Sequence, residues 1–91
     1  DYEAYRVLSR KVQQAINNDT EILPLTLTKI QNLNPDYWET YYWVGKYYYE
    51  KGYYTAALNA FNKAKSKEIT TVPDKRELDS YIKKLKRKLN K

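Results

Sequence analysis

The sequence contains no cysteine, no histidine and no methionine, and only two glycines and three prolines. Without cysteine there is no disulfide framework, no thiolate chemistry and no clue to the redox state of the compartment. Without histidine the commonest general base and the commonest metal ligand are both missing. No apolar run approaches the length needed to span a bilayer, and no signal-peptide pattern is present. No glycine-rich phosphate loop, zinc-ligand spacing, Ser/His/Asp set or Cys/His set can be assembled from these residues. An enzyme would have to rely on carboxylates, lysine or tyrosine. Asp19, Asp36 and Asp74 all fall at expected helix starts, where carboxylates serve as caps. The chain therefore reads as non-enzymatic, with no metal and no cofactor. Beginning with Asp1 and lacking methionine, it is expected to be a piece of a longer protein. In a bacterial parent the expected compartment is the cell envelope, on the periplasmic side, rather than the cytoplasm.

What the sequence does hold is unevenly placed. The net charge is +6 over 91 residues. Residues 1–74 carry nine basic and nine acidic side chains, which cancel, whereas residues 75–91 carry eight basic and two acidic. This is a neutral domain with a basic end. Aromatics are concentrated too: Tyr37 to Phe61 contains both tryptophans and eight of the eleven tyrosines. A gene rich in A and T would supply some of that tyrosine without any selection for contact.

Apolar residues follow helical spacing almost throughout, and strict alternation is absent, so the fold class is all-α. Tyr5, Leu8, Val12 and Ala15/Ile16 share one face of a first helix. Asn17 to Thr20 reads as a turn, with Asp19 or Thr20 able to cap the next helix. Leu23, Leu27, Ile30 and Leu33 form the stripe of that second helix, whose first turn tolerates Pro24. At Asn34-Pro35-Asp36, asparagine can cap and proline suits the first position of a third helix, which runs to about Glu50. Lys51-Gly52 ends it, since glycine accepts the left-handed conformation of a tight exit. A fourth helix covers about Tyr54 to Ser66, and Glu68 to Val72 reads as a loop. Thr71 with Asp74 resembles a capping box for a last helix carrying Leu78, Ile82, Leu85 and Leu89. The expected architecture is about five helices, arranged as two antiparallel hairpins plus one.

From Tyr41 the chain reads Y-x-x-V-G-x-x-Y, then Gly52, then A-x-x-x-F-x-x-A through Ala57, Phe61 and Ala64. This resembles the tetratricopeptide repeat, W-x₂-L-G-x₂-Y followed by A-x₃-F and A, with proline near the repeat boundary. Tyr41 stands for the tryptophan and Val44 for the leucine; Gly45, Tyr48, Ala57, Phe61 and Ala64 match as they stand, and Pro35 sits at the boundary. The resemblance is strong over 35–68. Over 1–34 it is divergent: Tyr5, Leu8, Ser9 and Val12 follow the first-helix pattern, but the turn is longer and Leu23, Leu27 and Ile30 stand in the alanine, phenylalanine and alanine places. Residues 69–91 look like a capping helix, with Asp79 where glycine would be. The resemblance implies a single short array of stacked hairpins acting by protein–protein binding, as a scaffold module.

Sorting the third helix by face puts Tyr41, Val44, Gly45 and Tyr48 on the side that the repeat assigns to the core. Glu39, Tyr42, Lys46, Tyr49 and Glu50 fall opposite, with Trp43 and Tyr47 at the margin. In the family that opposite side lines a concave groove, so Glu39, Tyr42, Trp43, Lys46 and Tyr49, flanked by Arg6 and Arg10, are the expected contacts for a segment or helix of another protein. Glu3, Gln13 and Gln14 share the flank. Self-association is a rival use of the same surface. The family's clamp for a terminal carboxylate is not reproduced, because Tyr42 and Lys46 stand where its lysine and asparagine would be. The alternative site is Lys83, Lys84, Lys86, Arg87 and Lys88, a patch for nucleic acid or an anionic membrane surface. The plainer account of those five is a solvated face helped by the negative helix terminus. Tyrosines able to stack on bases lie in another helix, so a nucleic-acid partner is not expected, and membrane contact is not favoured.

Overall fold

The computed structural model describes residues 2–18, 21, 24–33, 35–67 and 72–90. These form five helices, α1 (Tyr2–Asn18), α2 (Pro24–Leu33), α3 (Trp38–Glu50), α4 (Tyr54–Lys65) and α5 (Val72–Leu89), with no strand among the described residues. Asn17 and Asn18, expected in a turn, still belong to α1. The cap at Asp19 or Thr20, the apolar place of Leu23, the cap at Asn34 and the Thr71 half of the capping box lie outside the described residues. Pro24 opens α2, where its missing N–H costs nothing. Pro35 does not open α3. It lies with Asp36 in a turn, its carbonyl accepts the Tyr41 hydroxyl, and the helix starts at Trp38 after an extended Tyr37.

The exit from α3 is set by Gly52, which has φ 82. Gly52 N–H donates to Tyr49 at 3.1 Å and Tyr53 N–H to Tyr48 at 2.9 Å, the paired bonds of a Schellman motif. The Tyr48 and Tyr53 rings meet edge to face at 6.3 Å across it, supplying the apolar contact that such motifs carry. The chain then reverses into α4.

α3 and α4 form the tightest pair, and α4 in turn packs along α5. A Cβ added at Gly45 would stand 2.9 Å from two ring carbons of Phe61, so only glycine allows α3 to approach α4 this closely. Phe61, Ala57 and Ala64 are fully buried beneath it. On its other side α3 meets α1 and α2. Two cores result. One joins Tyr5, Val12, Ala15, Leu27 and Ile30 to Val44 and Tyr47; the other joins Tyr41, Tyr42, Ala57, Phe61 and Ala64 to Leu78, Ile82 and Leu85. Thr40, Val12, Ile30, Leu78 and Leu85 are fully buried in or between them.

Since α3 is covered on two sides, the one-sided face assignment needs correction. Tyr47, placed at the margin by periodicity, is 2 % exposed, whereas Tyr48, placed in the core, is half-buried and touches both clusters. The Tyr47 hydroxyl donates to Glu21 at 3.3 Å, and Lys51 pairs with the same carboxylate at 3.6 Å, tying the α1–α2 connection to the end of α3. In α5 the apolar stripe is as expected through Leu85, but Leu89 is 41 % exposed. Asp79, standing where a small residue would allow close packing, instead pairs with Lys65 of α4 at 2.9 Å. That pair and its nearby cations hold the Asp79 carboxyl below the usual aspartate range.

Candidate functional site

The residues expected on one aromatic wall separate into three groups. Tyr42 leaves the wall altogether. It is 8 % exposed, packs against Trp38, Trp43, Phe61 and Tyr81, and its hydroxyl donates to Glu77 at 2.6 Å. The expectation that it faces a partner is thereby corrected. Periodicity along α3 alone has no means of showing that α5 crosses above this face. Burial, and then the bond to Glu77, push the Tyr42 phenol well above the ordinary tyrosine range; burial also raises Tyr81 and Tyr41.

The second group meets α1. Arg6, Ser9, Arg10 and Gln13 from α1 line a cleft of about 250 Å³ with Tyr5, Tyr37 and Glu39. Arg6 and Arg10 each stand three residues before a polar neighbour, Ser9 and Gln13, so the four share a helical face, and the start of α3 closes the other side. Gln13 Nε2 donates to Ser9 Oγ at 3.2 Å, so the floor of the cleft is an ordered polar surface. The Trp43 indole N–H donates to Glu39 at 3.1 Å, and Lys46 holds its ammonium 5.4 Å from the Trp43 ring and 5.6 Å from that of Tyr42. Arg6, Arg10, Glu39, Trp43 and Lys46 thus occupy one continuous region spanning α1 and α3. Arg6 also pairs loosely with the exposed Glu3 at 3.7 Å. Ser9, Gln13 and Tyr37 complete the cleft; Gln13 was expected on this flank, Ser9 was expected among the packing residues of α1, and Tyr37 precedes the first turn of α3.

The third group is Tyr49 with the basic end. Half-buried, Tyr49 lines a cleft of about 260 Å³ with Lys84, Arg87 and Lys88. Of the five basic residues singled out in α5, these three share a face, while Lys83 and Lys86 turn away toward the Asp79 side. The sequence keeps Tyr49 and Lys84 far apart; the return of the chain through α4 brings them together. The apolar stripe of α5 is already buried by the domain: Leu78 and Leu85 are fully covered and Ile82 nearly so. Of the stripe only Leu89, at the helix end, stays exposed among the described residues, and no described helix is long and apolar enough to cross a bilayer.

A wider cleft of about 560 Å³, mostly apolar, opens between α1 and α2 at Val7, Leu8 and Leu33. Its lining presents no convergent set of polar groups. Among the described residues no cluster of three His, Cys, Asp or Glu side chains could hold a metal ion. Comparison with family models, with curated proteins and with solved structures finds no match to this chain.

Proposed function

We propose that this chain is a non-enzymatic interaction module of tetratricopeptide type, which holds a segment of another protein along the region where α1 and α3 run side by side. The observation that carries the proposal is the cleft joining Arg6, Ser9, Arg10 and Gln13 to Tyr37 and Glu39. It offers two guanidinium forks and a carboxylate in a polar recess, beside an indole and an ammonium at Trp43 and Lys46. Such a set suits an extended segment or helix carrying an acidic side chain next to an apolar anchor, with arginine gripping the carboxylate in bidentate fashion. The close α3–α4 crossing at Gly45 and Phe61 supports the family reading, because the repeat pattern requires small against large at that point.

Selection from a displayed random-peptide library against the immobilised chain tests this. Enriched peptides are expected to carry an acidic residue beside an aromatic or aliphatic one. Their affinity should fall about tenfold or more in R6Q/R10Q and in W43A, in line with loss of interface anchors. Peptides that bind equally well to both variants would overturn the placement of the site.

A further inference from the structure

The second cleft is built from chemistry that the first lacks. Among the described residues its lining has no carboxylate: two ammonium groups, one guanidinium and one phenol line it. Beside it three tyrosines from three helices form a joined set, Tyr49 edge to face with Tyr54 at 5.8 Å and with Tyr81 at 5.3 Å. Lys84 lies 5.8 Å from the Tyr81 ring and Lys88 lies 5.0 Å from that of Tyr54, so the cations are held against aromatic faces instead of sweeping freely through water. The far face of Tyr81 is stacked on Phe61 at 4.9 Å and 12°, which fixes that part of the floor to the core. Lys84 and Lys88 are one turn apart, about 6 Å along the helix, with Arg87 between them.

We propose that Tyr49, Lys84, Arg87 and Lys88 form a binding site for the phosphodiester backbone of single-stranded nucleic acid. Lysine serves a phosphate as a point charge, arginine grips two of its oxygens, and the Tyr49 hydroxyl donates a further hydrogen bond. The half-buried rings of Tyr49 and Tyr54 give exposed bases next to each phosphate an apolar edge to lie against. A run of acidic side chains with no apolar neighbour would have use for the cations but not for the rings. An anionic bilayer would call on an apolar stripe that α5 has buried except at Leu89. The charge distribution agrees: residues 1–74 are neutral, so the field of the whole +6 points outward from this end.

The test is fluorescence anisotropy of labelled oligo-dT and oligo-U with the full chain, across a series of potassium chloride concentrations. K84Q/R87Q/K88Q is expected to weaken binding about tenfold or more and to reduce the slope of log affinity against log salt by about 2, as loss of three phosphate contacts on a single strand requires. The charge-matched K75Q/K83Q/K86Q, which alters the other side of α5, should weaken binding several-fold less. Y49F, which deletes only the hydroxyl, should weaken it a few-fold with the salt slope unchanged. Circular dichroism melts of each variant report folding; these positions on α5 are exposed, so the melts are expected to match the parent. Equal losses from the two triple variants would overturn the proposal by showing diffuse attraction. So would tighter binding to duplex DNA, to poly-glutamate or to vesicles of anionic phospholipid than to the single strands. Loss of peptide binding at the α1–α3 cleft leaves this site untouched, so the two readings fail separately.

Discussion

The two glycines, Gly45 and Gly52, are required for different physical reasons, and their alanine variants should separate those reasons. At Gly45 the constraint is space: a Cβ would meet the Phe61 ring at 2.9 Å, and that ring is fully buried and stacked on Tyr81. Alanine gains about 1 kcal/mol of helix propensity but overpacks a site with nowhere to yield, so a net loss of about 1–2 kcal/mol is expected in urea unfolding. F61L should recover part of it in the double variant. At Gly52 nothing lies within 4 Å, and the constraint is φ 82 alone. G52A should cost about 1–2 kcal/mol that no second substitution in the core restores. Tyr42 supplies a third test. Its ring is buried and its phenol stays protonated far above the value of 10.0 at which an unfolded tyrosine ionises. The unfolded chain therefore holds fewer protons above pH 10, and stability, fully present at neutral pH, falls as pH rises past that point. Y42F removes this one proton, and its stability should decline less steeply than the parent's by about 1.4 kcal/mol per pH unit. A parallel decline would show that Tyr42 ionises freely while folded.

At the scale of the helix, what was legible in the sequence was whatever the local chain determines. Five helices, the proline at the start of α2, the left-handed exit at Gly52 and the inward places of Ala57, Phe61 and Ala64 all come from spacing and backbone preference. What was not legible depends on a distant helix. Tyr42 reads as exposed in any projection of α3, and becomes core because α5 supplies Glu77 and Tyr81 above it. Tyr47 becomes core because α1 and α2 supply a second cover. The same cause splits the candidate site: Arg6, Arg10 and Glu39 share a cleft, as the groove implied by the resemblance would have them, but Tyr49 joins α5 instead. A helix placed between two hairpins has two buried faces, and a single hydrophobic stripe describes only one. The consequence for stability is specific. Y47A and Y42A should each cost about 3–5 kcal/mol, as deletions of core aromatics do, whereas Y49A should cost clearly less. Thermal melts of the three variants give that order directly, and equal losses would mean that Tyr49 is as deeply packed as the others.

Taken whole, the molecule extends 39 × 30 × 19 Å, and its shortest dimension matches two helix diameters of about 10 Å. In so thin a slab the two clefts share α3 yet lie on different lining residues, so their ligands are expected to bind independently. Peptide affinity in K84Q/R87Q/K88Q should stay within about twofold of the parent, a free-energy change below about 0.5 kcal/mol, as for sites without shared partners. Isothermal titration with and without oligonucleotide measures the same independence. The hydrogen bond from Trp43 to Glu39 has a further, optical consequence. Glu39 lines the cleft that the peptide is proposed to enter, and indole emission shifts with the polarity and hydrogen bonding of its N–H. With Trp38 replaced by phenylalanine, Trp43 would be the sole tryptophan, and occupancy of the cleft would be read as a change of colour from the protein itself, with no dye attached. The quieter site at Tyr49 would leave that colour unchanged.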